Sequence, residues 1–443
     1  MWHPCSQMKD YEALPPIVVE RGEGAWLVDV EGKRYLDAIS SWWTNLHGHG
    51  HPRLAGALAR QAATLEHVIF ANFTHRPAIL LAEGLVGLLP PALTRVFLAD
   101  NGSAAVEVAL KMSFQWHQQA GHGGRRRFAS LAGAYHGETL GALATGDLDL
   151  NSAVFRPLMM DTLRVPGPDC TRCPFGKTRE TCGAECFGPM EEALDAHGGA
   201  LCAVIVEPLV QCAAGMRIYP PAYLRRLREA TARRGVHLIA DEIAVGFGRT
   251  GTMFAFEQAG IVPDFVCLSK GITGGFLPLS AVVTGEEIYR AFYADYAELK
   301  AFMHSHSYTG NPLACAVAVE NLAIFREERV LERVGALSRA LERLARDAFD
   351  GLDFVGEYRQ LGLIGAVELV EDRATRRGFD WRLRAGYRAY RRALARGVLL
   401  RPLGNVLYFM PPYCTTEEEL ALMVRTARVC AEEAVEEIRD GPG

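Results

Sequence analysis

The run Phe265-Val266-Cys267-Leu268-Ser269-Lys270-Gly271-Ile272-Thr273-Gly274-Gly275 decides how this chain is to be read. Its first four residues form an unbroken apolar segment, as expected of a short strand covered on both faces, and a lysine and a glycine-rich turn follow. A lysine at the end of a buried strand, its ammonium partly desolvated, can lose its proton and attack an aldehyde. Upstream, Gly235-Val236-His237-Leu238-Ile239-Ala240 delivers Asp241 to the end of a second such strand. Taken singly, each residue reads as a solvated group at a loop start, because strand ends are often polar. Together they match what pyridoxal 5'-phosphate needs: a lysine for imine formation and a carboxylate that keeps the pyridine nitrogen protonated, so that the ring accepts electrons.

Working outward, Arg95-Val96-Phe97-Leu98-Ala99 and Leu201-Cys202-Ala203-Val204-Ile205-Val206 are further continuous apolar runs. Alternating with helical patterns from about residue 51 to 320, they predict an α/β fold with a mostly parallel central sheet and flanking helices. Directly after Ala99 comes Asp100-Asn101-Gly102-Ser103-Ala104, a tight turn opening a strongly helical stretch. Backbone amides and the positive end of the helix dipole meet at Gly102, Ser103 and Ala104, where a phosphate fits, although Asn-Gly-Ser is also an ordinary helix entry. In an open α/β sheet ligands bind at the carboxyl ends of strands, which places Ser103, Asp241 and Lys270 on one rim. Tyr135 follows a further strand, Phe128-Ala129-Ser130-Leu131, and brings an aromatic ring there, for stacking on a flat cofactor or for rim packing.

The chain has 443 residues, 49% hydrophobic and 22% charged, enough for a large core and two or three domains. Three units are expected: an N-terminal segment (1–50) that packs with the small domain, a large cofactor-binding domain (51–320) and a small α+β domain (321–443). A net charge of -5 without long like-charge blocks gives no reason to expect nucleic acid or a membrane surface, and favours small-molecule substrates. No apolar run nears the ~20 residues of a transmembrane helix, and Met1-Trp2-His3-Pro4-Cys5 lacks a signal-peptide pattern, so a cytoplasmic protein with reduced thiols is expected.

Four of the eleven cysteines cluster as Cys170-x2-Cys173 and Cys182-x3-Cys186. Such spacing suits zinc or an iron-sulfur cluster, or an insertion loop with unligated thiols. His47, His49 and His51 form a second tempting group, on a Gly/Pro-punctuated turn that aims the rings in different directions. No metal is assigned to either.

The strings DNGSAAVEVALKMSFQ, AYHGETLGA, LIADEIAVGFGRTGTMFAFE, CLSKGITGG and HSHSYTGNPLAC resemble the class III aminotransferases of PLP fold type I, and span nearly the whole chain in the expected order. Within that class, WHPCSQMKDYE, LDAISSWWTNLHGHGHP and LLRPLGNVLYFMPPY resemble the diaminopelargonic acid synthases, the branch that converts 8-amino-7-oxononanoate to 7,8-diaminononanoate for biotin. The resemblance implies Lys270 as the cofactor-bonded lysine, Asp241 as partner of the pyridine nitrogen, and Gly102 and Ser103 at the phosphate. It implies Tyr135 on one face of the ring and Ile243 on the other. Ser307 stands where the family has a threonine that reaches the neighbouring subunit's phosphate, which implies a homodimer. Trp42 and Trp43 match a tryptophan pair along the apolar substrate tail, and Arg401 and Tyr408 match the residues at its carboxylate. Glu138 replaces an aspartate near the substrate amine. A nine-carbon keto acid does need a greasy channel ending in a fixed cation, for which arginine's planar fork is suited. The tryptophans equally suit plain core packing, and Arg401 a surface ion pair. The implied amino donor is S-adenosylmethionine, with L-lysine as the alternative, because Cys5 stands where an aromatic residue is usual. Rival readings are another ω-amino acid or diamine aminotransferase, or a non-catalytic PLP- or metal-binding protein.

Overall fold

The computed structural model describes residues 1–441, so the last two residues of the expected 321–443 unit lie outside the described part. Its centre is a seven-stranded sheet in the order Leu93–Ala99, Ser280–Gly285, Phe265–Leu268, His237–Asp241, Leu201–Val206, Arg127–Leu131, Thr162–Val165. Ser280–Gly285 runs antiparallel to both of its neighbours, and the other pairings are parallel. Leu201–Val206, His237–Asp241 and Phe265–Leu268 are buried along their whole length, which is why they read as continuous apolar runs. Register aligns their ends: Asp241 lies opposite Cys267, and Ala240 opposite Val206. The residues that follow these strands therefore share one rim.

After Asn311-Pro312 the sequence predicts one long helical stretch to about Phe349 and a strand near Leu361–Val370, and the structure differs on both. The helical stretch expected from Pro312 to Phe349 is two helices, Pro312–Glu327 and Val330–Phe349, separated where Arg329 takes a left-handed conformation (φ 49°). The strand expected near Leu361–Val370 straddles a hairpin: Val355–Leu361 and Ile364–Asp372 pair antiparallel, and Val406–Phe409 adds beside the second. Gly362 makes that turn with φ +57°.

Near the start, Val19–Glu23, Trp26–Asp29 and Arg34–Asp37 form an antiparallel sheet that Val398–Leu399 extends in parallel, so the first 50 residues share a sheet with a distant part of the chain. The last helix, Glu417–Arg439, begins in a capping box between Thr416 and Glu419.

Candidate active site

Lys270 sits two residues past its strand in the left-handed region (φ 45°), a conformation that disfavours a side chain and must be held by its surroundings. The holding contacts are buried. Asn321, from the helix Pro312–Glu327, donates to the carbonyls of Gly271 and Ile272 at 3.0 Å each, and Ser269 Oγ donates to Leu279 O at 2.7 Å. Burial pulls the Lys270 ammonium below the ordinary lysine range, with Cys212, Asp241 and Glu207 nearby acting in the opposite sense.

Asp241 is buried at the end of the adjacent strand, where its two oxygens have separate partners. Oδ2 meets His136 Nδ1 at 2.7 Å, and Oδ1 accepts from the Ile243 amide at 3.1 Å. This anchoring sets the carboxylate's orientation. His136, which sequence reasoning did not single out, lies in the Tyr135 segment and is buried; the stretch AYHGETLGA contained it without any local sign of its partner.

The helix Gly102–Gln119 opens as expected, with Asn101 as its cap. Asn101 Oδ1 accepts from the Ala104 amide at 3.1 Å, so that amide is already engaged, and Gly102 and Ser103 remain as the candidate phosphate donors. A Cβ on Gly102 would lie 3.0 Å from Ile243 Cγ2, and one on Gly137 would fall 2.2 Å from Ser103 Oγ. Both glycines let two chain segments close on the same space. Ser103 Oγ accepts from the Glu138 amide at 3.0 Å, Tyr135 N donates to Glu207 at 3.2 Å, and Tyr135 OH donates to Glu138 at 3.1 Å. Burial and Glu138 raise the Tyr135 phenol above its usual range, which keeps the hydroxyl a donor.

Ser40, Ser41, Trp42 and Trp43 are four successive residues with positive φ, from 45° to 75°. L-residues pay about 1–2 kcal/mol each for this geometry, so the turn must be held by its contacts. Ser40 Oγ donates to Met410 O at 2.8 Å, Ser41 Oγ to Asp37 at 2.7 Å, and Trp43 Nε1 to Tyr408 OH at 3.0 Å. The result is that Trp43 lies under the lysine, Lys270 Nζ being 4.6 Å from the centroid of its ring. Trp42 is 42% exposed and faces the Arg401 guanidinium at 4.8 Å. Arg401 also donates to Cys5 O at 2.9 Å, which brings the first residues of the chain to the same place.

Ser307 is exposed on the segment before Asn311 and joins none of these contacts; its neighbour His306 meets Asp100 at 2.7 Å. The three histidines of HGHGHP are separated as their spacing suggests. His47 bonds Asn321 and His49 bonds Asp37. Among the described residues, no group of three or more His, Cys, Asp or Glu side chains is placed to hold a metal ion. Two buried carboxyls also escaped sequence reasoning. Desolvation raises Glu207 to about 7 and Glu242 to about 8, against backbone amides that favour their charged forms.

A family model described as aminotransferase class-III matches residues 7–428. An adenosylmethionine-8-amino-7-oxononanoate aminotransferase of Geobacter sulfurreducens is 46% identical over 425 residues, covering 96% of this chain and 94% of that protein. The crystal structure of the same-named enzyme from Methanocaldococcus jannaschii has a TM-score of 0.92 at 36% identity, over 98% of this chain and 97% of that one. A PLP-bound amine transaminase from an uncultivated Pseudomonas species has a TM-score of 0.92 at 32% identity, over 98% of each chain.

Proposed function

The chain belongs to the class-III aminotransferases, and from that premise we propose that it moves an amino group from S-adenosylmethionine to the ketone of 8-amino-7-oxononanoate, giving 7,8-diaminononanoate for biotin. One observation carries the choice of acceptor. An aromatic wall runs from the lysine to a fixed cation, with Lys270 Nζ on the Trp43 ring and Arg401 on the Trp42 ring. A flexible acid with a ketone near one end and a carboxylate at the other matches such a surface, the tail on the indoles and the carboxylate on the guanidinium.

The residues present suit pyridoxal 5'-phosphate: a desolvated lysine, a buried carboxylate held by two partners, and a helix N-terminus whose Ser103 is brought against the Tyr135 segment and Ile243 by close approaches that only Gly102 and Gly137 allow. When bound, this cofactor supplies an aldehyde that captures amines and a ring that accepts the electron pair of an adjacent C–H bond. The chain's own residues do the rest. Lys270 would hold the cofactor covalently and, once displaced by the donor amine, would move the proton at Nζ, which burial makes a better base. Asp241, oriented by His136 and the Ile243 amide, would keep a proton on the ring nitrogen. Gly102 and Ser103 would bind the phosphate, with Tyr135 and Ile243 on the two faces of the ring. Glu138, Tyr408, Trp42, Trp43 and Arg401 would line the substrate space. The donor product leaves before the acceptor enters, so the kinetics should be ping-pong.

The same reading takes the protein to be a cytoplasmic homodimer in which Ser307 reaches the partner's phosphate, and divides the chain at about residues 50 and 320. The shared sheet of Leu36–Asp37 with Val398–Leu399 supports the pairing of the N-terminal segment with the small unit. No helix among the described residues is long and apolar enough to cross a membrane. L-lysine as donor is the second reading, favoured by Cys5 beside Arg401, which offers no aromatic surface for a nucleoside. The deciding experiment supplies 8-amino-7-oxononanoate with each donor in turn. Diamine formed with S-adenosylmethionine supports the reading, diamine with lysine alone moves it to the second, and none with either overturns it.

A further inference from the structure

We propose that Asp10 is a positioning residue for the acceptor: paired with Arg384, it pins the first residues of the chain so that the Cys5 carbonyl orients the Arg401 guanidinium for the substrate carboxylate. This role rests on the reading of Arg401 as the carboxylate's partner, and deepens it.

Residues 1–17 have little packing of their own. The single helical turn Met8–Glu12 buries no side chain. Among the described residues, this stretch makes hydrogen bonds to the rest of the chain at two places only. One is the Asp10 carboxylate, whose Oδ1 accepts from Arg384 Nη1 at 2.8 Å and whose Oδ2 accepts from Nη2 at 2.6 Å. Such a fork fixes direction as well as distance. The other is the Cys5 carbonyl, which accepts from Arg401 Nη2 at 2.9 Å. Cys5 is left-handed (φ 49°), and Ser6 Oγ donates to Pro4 O at 2.9 Å, so the chain turns sharply where its carbonyl meets Arg401. His3 sets its edge on Tyr11, ring centroids 5.3 Å apart, and folds the segment back on itself. A segment closed in this way carries a restraint at Asp10 through to Cys5.

Both anchor points stand on one platform. Arg384, left-handed at φ 52°, caps the helix Ala385–Ala395, and its guanidinium lies 3.9 Å from the centroid of the Tyr387 ring. The start of that helix presses on the segment that follows Arg401: a Cβ on Gly386 would fall 2.2 Å from Gly404 O and 2.8 Å from Pro402 Cβ. Backbone packing therefore sets the spacing between Arg384 and Arg401, and a segment fastened to the first reaches the second in one register. Among the described residues Arg401 makes no ion pair and no other hydrogen bond, and its guanidinium lies over Trp42. With one Nη donor on Cys5 O and the indole on its face, its remaining N–H groups are left for a carboxylate. The Asp10–Arg384 pair itself is partly exposed, so its loss should leave the fold intact.

The test uses the full-length holoenzyme at saturating donor, with 8-amino-7-oxononanoate and with its methyl ester, which lacks the charge that Arg401 would meet. Asp10→Asn and Arg384→Gln should each raise KM for the acid about 3- to 10-fold with kcat within about twofold, and the double variant should be no worse than either single one. With the ester, which the unmutated protein should use poorly, the variants should show no added loss. An unchanged KM in Asp10→Asn, additive losses in the double variant, or an equal loss with the ester would overturn the positioning role and leave the acceptor reading standing. Unmutated protein that aminates the ester as well as the acid, or aminates neither, would overturn the carboxylate reading and this role with it.

Discussion

Nδ1 of His136 lies 2.7 Å from Oδ2 of Asp241, with both side chains buried and Nε2 of the histidine unpartnered. A hydrogen bond to a charged group contributes about 1.5–3 kcal/mol, and here it fixes the carboxylate that carries the proposed electron-sink chemistry. His136→Ala should therefore lower kcat/KM about 10- to 100-fold while the protein still binds pyridoxal phosphate. His136→Asn keeps an N–H donor and should recover part of the loss. Full activity in His136→Ala would remove the positioning role.

Lys270→Ala should abolish turnover and the yellow colour of the covalently held cofactor, with an unchanged circular dichroism spectrum. Asp241→Asn should keep the cofactor bound yet cost several orders of magnitude in rate, about 4 kcal/mol or more. Near-normal turnover in Lys270→Ala would refute the mechanism.

Trp43 and Tyr408 test the left-handed turn. Trp43→Phe removes the indole N–H from a buried hydroxyl and Tyr408→Phe removes the hydroxyl from a buried N–H, so each should destabilise by about 1–3 kcal/mol. The double variant should be more stable than the sum of the two losses, since it strands neither partner. A cycle by urea denaturation with a coupling near zero would show that the bond does not hold the turn.

These buried groups should make stability fall below about pH 4.5 and above about pH 6.5, so the maximum lies on the acid side of neutrality. Burial depresses His47 and His117 to about 4 and His237 to about 3, below the unfolded 6.5, so their contribution is complete above pH 6.5 and is lost as pH falls through those values. Glu207 and Glu242 are raised above the unfolded 4.5, so theirs is complete below pH 4.5 and is lost as pH rises through about 7 and 8. Between 4.5 and 6.5 the two sets oppose each other, and the decline outside that window is the expected signature. Denaturation midpoints across pH should flatten on the acid side in His237→Gln; an unchanged acid limb would exclude that residue.

Mixing Lys270→Ala with Ser307→Ala protein should give hybrids with partly restored activity if the Ser307 hydroxyl is supplied across the interface. A fully active monomer in sedimentation would defeat that idea.

Much of this site was legible because its chemistry sits at strand ends. Continuous apolar runs announced strands buried on both faces, and whatever polar residue followed each run had to emerge at the same rim. That logic reached Lys270, Asp241 and Ser103 from local patterns, and the family resemblance extended it to Trp42, Trp43 and Arg401. The split at Arg329 and the hairpin at Gly362 were not legible, because a left-handed residue in the middle of a strong pattern carries no periodic mark. His136, Glu207 and Asn321 were hidden for another reason: a buried polar group is defined by its partner, and theirs lie 105, 72 and 50 residues away. Local sequence thus determined which elements form and which reactive groups they carry. Tertiary structure alone decided which way Asp241 is turned, how Trp43 comes to lie under Lys270, and that the first residues of the chain end against Arg401, since hydrogen bonds and packing between distant segments leave no spacing to read.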